Sequence, residues 1–203
     1  RRNQLLEFYA NFNKEWGIHH LDVMAGYSWQ HFYSSDHTVT YFNETHEQKG
    51  EDSRYPFNRQ ESYLLSFYGR INYSIASKYL FTFTLRDDAS SRFSKDTRWG
   101  LFPSAAFAWN IAQEEFLKDV RAVSSLKLRL GAGQTGQQEI FQNYPYLARY
   151  SMSTDVYKQY NMGSAGYMFY LTPAAYDPDI KWETTTTYNV GLDFGFLDGR
   201  ING

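Results

Sequence analysis

Apolar and polar residues alternate one for one along most of this chain. Between His20 and Tyr33, Leu21, Val23, Ala25, Tyr27 and Trp29 take every second position, with Asp22, Met24, Gly26, Ser28 and Gln30 between them. Between Leu64 and Ile75, Leu65, Phe67, Gly69, Ile71 and Tyr73 alternate with Ser66, Tyr68, Arg70, Asn72 and Ser74. The same pattern recurs in Tyr79, Phe81, Phe83 and Leu85, in Leu126, Leu128, Leu130 and Ala132, and in Tyr188, Val190, Leu192 and Phe194. Successive side chains of a strand point to opposite faces, so a period of two describes strands with one greasy and one wet side. With weaker segments at Leu6 to Phe12 and Ala105 to Ile111, the pattern predicts seven strands and an eighth starting at Arg200.

The connections add a second regularity. Lys14 to Ile18, Ala76 to Lys78 and Leu197 to Gly199 read as tight turns, whereas His37 to Arg59, Asp87 to Gly100 and Gln134 to Lys181 are long. Ala112 to Ser125 is intermediate, with room for one helical stretch in QEEFLKDV. Short and long connections alternate, which puts every short turn at one end of an up-and-down sheet. Transmembrane β-barrels have this asymmetry, with short periplasmic turns and longer extracellular loops. Charge follows the same sorting: Arg70, Arg86, Lys127 and Arg129 all fall in the wet register, and the opposite register reads as aromatic and aliphatic only. A cation on the lipid face near the bilayer midplane costs about 2–4 kcal/mol, so a barrel requires that sorting. The expected fold is therefore all-β, with antiparallel up-and-down strands forming part of a large transmembrane β-barrel with long extracellular loops. A soluble β-sandwich also alternates, but gives no reason to sort turns by length.

Composition sharpens this picture. Aromatic residues make up 19% of the 203 residues, with 18 Tyr and 16 Phe, yet the mean hydropathy is only −0.60. That combination suits half-greasy strands. Trp16, Tyr73, Tyr79, Trp99, Trp109 and Trp182 sit near predicted strand ends, as aromatic girdles at two membrane interfaces would. A net charge of −2 without a basic stripe argues against a nucleic-acid partner. There is no cysteine, hence no disulfide or thiolate site. No run approaches the roughly 18 apolar residues of a spanning helix, and no signal peptide is visible. The chain opens on RRNQLLEF and stops at DGRING, mid-pattern at both ends, as an internal piece of a longer protein would.

Several motifs invite chemistry that their surroundings refuse. Gly131, Gly133 and Gly136 spell G-x-G-x-x-G, but the strand before them carries Lys127 and Arg129 at alternate positions, and Pro145 follows too soon for a dinucleotide-binding helix. Gly131 and Gly133 instead continue the wet register, and Gly136 starts the long outer loop. No cofactor is expected. His19 and His20 are adjacent and diverge, His31, His37 and His46 surround a loop, and His46-Glu47 lacks the second His of a zinc helix, so no metal site is expected. Asp87 and Asp88 beside Arg86 and Arg92 read as a loop-ordering salt-bridge cluster that keeps both carboxylates ionised. No G-x-S-x-G is present. Catalytic residues are therefore not assigned. The long loops hold Tyr41, Tyr144, Tyr146, Tyr150, Tyr157, Tyr160 and Tyr167, whose rings are candidate contacts for a sugar or peptide, or packing for the loops themselves.

Against this background, the segment from Ser66 to Asp119 resembles the SusC/RagA family of TonB-linked outer-membrane transporters. The resemblance is carried by G-R-x-N-Y at Gly69 to Tyr73, K-Y-L at Lys78 to Leu80, S-S-R-F at Ser90 to Phe93, R-W-G-x-F-P-S at Arg98 to Ser104, A-W at Ala108 and Trp109, and E-x-F at Glu114 to Phe116. LKLRLGAGQTGQQ and DPDIKWETTTTYNVGLDFGFLDGRI continue it in the same order over about two thirds of the chain. Departures fall in loops: Ala89 follows Asp88 where the family has Gly, and Gln137 and Asp177 replace Asn. The resemblance implies a barrel of about 22 strands around a plug domain, in the outer membrane of a Gram-negative bacterium. Its implied partners are outer-membrane lipid, a SusD-like lipoprotein lid and the TonB complex, reached through a plug region outside these residues. Its implied ligand is an oligosaccharide or peptide, imported without enzyme chemistry. Residues 1–203 would then be a partial barrel domain, since seven strands cannot close such a barrel. A soluble β-sandwich that binds glycans is the alternative, and an enzyme with an uncommon site comes third.

Overall fold

The computed structural model describes residues 1–37, 43–45, 57–117, 120, 122–140, 144–152, 159–161, 163–169, 171–197 and 199–203. Long strands dominate: β1 (Arg2–Trp16), β2 (His19–His37), β3 (Phe57–Ile75), β4 (Tyr79–Ser90), β5 (Trp99–Asn110) and β6 (Val123–Gln137). Short strands β7 (Tyr150–Met152), β8 (Gln159–Asn161), β9 (Tyr167–Phe169) and β10 (Leu171–Pro173) follow, then β11 (Glu183–Phe196) and β12 (Ile201–Asn202). One eight-stranded sheet runs in the order β1-β2-β3-β4-β5-β6-β11-β12, every neighbour antiparallel. All seven expected strands are present, and the eighth begins one residue after Arg200. The short strands form two small ladders, β7 with β10 and β8 with β9.

Local chemistry sets the hairpins. Ala76 and Ser77 both have positive φ, 51° and 56°, and these left-handed residues carry the three-residue connection between Ile75 and its partner Tyr79. Lys78 N donates to Ile75 O at 2.9 Å and closes that turn. Gly17, at φ +57°, reverses the chain between β1 and β2. The tight turns 17–18, 76–78 and 197–200 lie at one end of the sheet and the connections 38–56, 91–98 and 138–182 at the other, but the sorting by length is not strict: 111–122, at the tight-turn end, has 12 residues against 8 in 91–98.

The register makes the two faces explicit. Phe12, Val23, Ile71, Phe83, Ala105, Ala132 and Tyr188 form one continuous rung. The adjacent rung, pointing the other way, is Asn13, Asp22, Asn72, Thr82, Ala106, Gly131 and Asn189. None of the described residues covers the apolar face: Phe8 is 70% exposed, Phe83 46% and Val190 79%. Among the described residues the only buried apolar side chains are Ala89, Phe93, Phe102 and Trp182. A sandwich would cover that face with a second sheet, and a single layer with so much uncovered aromatic surface excludes it.

Two expectations need correction. Lys14, opposite Leu21, and Asp87, between Phe67 and Leu101, lie in the apolar register, so that register is not free of charge. Both sit toward the ends of the band, where a long side chain reaches the interface and the cost of charge falls. QEEFLKDV forms no α-helix among its described residues. A 3-10 turn at Ile111–Gln113 continues into bonds from Leu117 N to Glu114 O and from Val120 N to Leu117 O. The chain is held short of a helix because the Glu114 side chain is tied back to the sheet. It accepts from Tyr79 Oη at 2.7 Å, Trp109 Nε1 at 3.0 Å and Lys78 Nζ at 3.2 Å. These donors, Tyr79 first, hold its carboxyl below the ordinary carboxylate range against an opposing effect of burial.

The aromatic residues expected near strand ends lie at the two ends of the apolar face, with one exception. At the short-turn end Trp16, His19 and Tyr73 stack, and Tyr79 stacks on Trp109 at 6.4 Å. At the long-loop end Trp99 stacks on Phe67 at 6.3 Å. Trp182 belongs to neither girdle, because it turns onto the wet face.

Candidate functional site at the outer mouth

On the wet face at the long-loop end, Phe93, Phe102 and Trp182 make the hydrophobic cluster of the described residues, with Leu64, Ile140 and Ile180 against it. Trp182 lies 5.3 Å from both the Phe93 and the Phe102 ring centroids. Its face is fixed by register: Phe102 pairs with Arg86, and Leu64 with Ser90. The three rings come from Ser-Ser-Arg-Phe after β4, Trp-Gly-Leu-Phe at the start of β5 and Ile-Lys-Trp before β11.

Hydrogen bonds lock the same segments together. Trp182 Nε1 donates to Arg98 O at 2.8 Å, and Thr97 Oγ1 to Ile180 O at 2.6 Å. Arg92 Nη1 donates to Gln138 O at 3.2 Å. Ser91 N donates to Tyr63 O at 3.0 Å, and Ser91 Oγ accepts from Tyr63 N at 2.9 Å. Both feet of the long 138–182 connection are thus fastened to the β4–β5 hairpin. Glycines permit the approach: a Cβ on Gly100 would meet the Phe102 and Trp182 rings at 2.6 and 2.8 Å, and one on Gly136 would overlap Phe102. Gly136 is still within β6, paired with Thr184, and does not start the loop. A Cβ on Gly133 would lie 2.8 Å from the Ser104 side chain, so this glycine serves close strand pairing.

Below the cluster runs an open groove of about 620 Å³, in which hydroxyl and amide side chains such as Thr82, Ser104, Thr187 and Asn189 are set among alanines and glycines. Its charges are paired. Arg86 Nη2 lies 3.2 Å from Asp88 Oδ1, and the guanidinium sits 5.5 Å over the Tyr68 ring. Further down, Arg129 meets Asp193 at 2.6 Å. The expected four-residue salt-bridge cluster reduces to Arg86 and Asp88, both within β4. Asp87 points to the other face, and Arg92 is engaged by the Gln138 carbonyl. The chemistry offered here is hydroxyls and amides spaced along a wall of small apolar residues, with Arg86 and Asp88 paired.

The described loop tyrosines are spread over several elements. Tyr144 donates its hydroxyl to Glu61 O at 2.7 Å and stands edge-on to Tyr146, 6.2 Å away. Tyr150 lies in β7 opposite Pro173, and Tyr160 in β8 opposite Met168, both exposed. Tyr167 pairs with Asn161 in β9. Tyr41 and Tyr157 lie outside the described residues, as does His46. His19 and His20 point to opposite faces as expected, one stacking on Tyr73 and the other 2.9 Å from Glu15. His31 bridges Gln4 and Glu61. Among the described residues no group of three or more His, Cys, Asp or Glu is placed to hold a metal ion. The sequence reading missed the Phe93–Phe102–Trp182 cluster, although the motifs that carried the family resemblance are the segments that build it.

Comparison with known proteins agrees with this geometry. The family model described as TonB dependent receptor-like, beta-barrel matches residues 1–203. The chain is 45% identical to the TonB-dependent receptor SusC of Bacteroides thetaiotaomicron, covering 99% of this chain and 20% of that one. It is 37% identical to the TonB-dependent receptor P3 of Formosa agariphila, covering 98% and 20%. The fold superposes on the RagAB peptide transporter with a TM-score of 0.76 at 22% identity, over 98% of this chain and 22% of that one. The 'open-open' state of the RagAB peptide importer gives 0.68. The chain spans about a fifth of the length of the curated relatives it matches. It belongs to the TonB-dependent receptor β-barrel family, as a section of barrel wall of the SusC/RagA type.

Proposed function

We propose that these residues form wall and outer loops of an importer in the outer membrane of a Gram-negative bacterium, one that takes up oligosaccharides or peptides. The observation that carries this reading is the sorting of the sheet into an uncovered apolar face and a polar face. The first suits lipid and the second a lumen. In this reading the plug domain and the remaining strands lie elsewhere in the protein. The plug links the lumen to the TonB complex, and a SusD-like lipoprotein covers the mouth. Import then needs no bond chemistry: the outer loops and lid retain ligand, and plug movement opens the lumen. The hydroxyl and amide lining of the groove favours a neutral ligand rich in hydrogen-bonding groups. Of the loop tyrosines, Tyr146, Tyr150 and Tyr160 offer ring faces to such a ligand, with Tyr41 and Tyr157 as further candidates. Tyr144 commits its hydroxyl to the β3 backbone and serves to position Tyr146.

Uptake measured in cells that depend on the full-length protein tests this. Labelled oligosaccharides or oligopeptides should enter only when the TonB complex is present and energised. A parent protein that is water-soluble without detergent contradicts the reading. Glycan hydrolysis by the purified parent would favour the enzyme alternative.

A further inference from the structure

We propose that the connection between β5 and β6 is a membrane-seated foot that places Phe116 in the periplasmic leaflet of phospholipid. This rests on the lipid-facing assignment above and extends it from the strands to a turn. Tyr79 and Trp109 pair directly, and their rung continues through Leu128 to Leu192 on the lipid-facing side. Glu114 accepts hydrogen bonds from both rings and from Lys78. A carboxylate reaches both donors only if the chain after β5 folds back across that same side of the sheet.

The clip leaves apolar side chains uncovered next to it. Phe116, two residues on, is 68% exposed, and Val120 is 41% exposed. Backbone bonds run from Leu117 N to Glu114 O, from Val120 N to Leu117 O and from Val123 N to Val120 O. The neighbouring β11–β12 turn is attached through Leu197 N to Ala122 O at 3.0 Å. Leu197 is 53% exposed. The apolar rim is therefore continuous with the lipid-facing band. Its depth matches the level where tyrosine and tryptophan mark the boundary between headgroups and acyl chains. A phospholipid leaflet is the occupant that meets both features, since it takes the phenyl ring and leaves the exposed Glu115 in the headgroups.

The test uses the full-length protein, with any native cysteines replaced, reconstituted in phosphatidylethanolamine and phosphatidylglycerol vesicles. Nitroxide labels are placed through F116C, through F83C in the middle of the band and through K95C in an outer loop. Accessibility to oxygen is then compared with accessibility to a water-soluble nickel chelate. The expected result is preference for oxygen at positions 83 and 116, shallower at 116, and preference for nickel at 95. Adding Glu114→Gln should shift position 116 toward nickel and leave 83 unchanged. A water-like label at 116 beside a lipid-like label at 83 overturns the foot and spares the barrel reading. A label at 116 shielded from both reagents shows a protein contact and also overturns it. A water-like label at 83 overturns the barrel reading, and the foot with it.

Discussion

Phe12, Val23, Ile71, Phe83, Ala105 and Tyr188 stand back to back with Asn13, Asp22, Asn72, Thr82, Ala106 and Asn189, one rung on each face of the same strands. The apolar rung is left uncovered by the described residues, whereas several groups on the polar side pair within the sheet. Asn72 donates to Asp22, Thr82 to Asn72, and Arg86 and Arg129 each have a carboxylate. The difference follows from the solvent each face meets. Lipid covers apolar side chains at no cost but punishes unpaired charge, so packing on that side is left to the membrane. A polar lumen tolerates charge, and there an apolar cluster has to be built from the protein's own residues. Phe93, Phe102 and Trp182 are that cluster, and they fasten loops instead of filling a core.

The comparison predicts that truncation is expensive on one face and cheap on the other. Trp182→Ala should destabilise the full-length protein by about 3–5 kcal/mol, read as a shift in its denaturant unfolding in detergent. Val190→Ala, on the lipid face, should cost about 1 kcal/mol or less. Equal losses would mean that the mouth cluster is no fastener. A smaller effect is expected at Gly136→Ala, whose new methyl overlaps the Phe102 ring and should cost about 1–3 kcal/mol. Gly131→Ala, where a Cβ meets nothing closer than 3.9 Å, should be close to neutral in the same assay. The smallest effect concerns the rim. The Glu114 carboxyl is held below the ordinary range by Tyr79, Trp109 and Lys78. Its stabilisation is thus present above the ordinary carboxylate pKa and is lost as pH falls through the lowered one. The stability difference between wild type and Glu114→Gln should be widest near neutrality and close on acidification. A difference that does not change with pH would remove this role.

What could be read in the chain and what could not divide along the same line. Leu21, Phe67, Phe83 and Val190 announce their face by spacing alone, because each strand residue's direction follows from its neighbours in sequence. Register across strands then follows from matching greasy to greasy. Trp182 precedes β11 and is drawn to the wet face by Phe93, Phe102 and the Arg98 carbonyl, none of them near in sequence. Gly136 looks like a turn glycine until Phe102 is placed against it. QEEFLKDV carries helix-forming residues, but three donors from β4, β5 and the preceding turn capture Glu114, and the backbone bonds that follow it span three residues and not the four of an α-helix. Lys14 and Asp87 break the alternation near the band edges, where the penalty is small enough for sequence to be free. The loop tyrosines were legible as a composition and not as a site, because their positions depend on how a 45-residue connection (138–182) folds over the mouth.

Ala105 and Ala106 offer the most direct test of the two-faced wall, being adjacent, identical in type and opposite in direction. Each is replaced by arginine in the full-length protein, and folding into phospholipid vesicles is measured for both variants. Ala105→Arg, mid-band between Phe83 and Ala132, should lose about 2–4 kcal/mol of folding free energy. Ala106→Arg, between Thr82 and Gly131, should remain within about 1 kcal/mol of wild type. Equal losses at the two positions, or a greater loss at Ala106, would contradict the assignment of the faces.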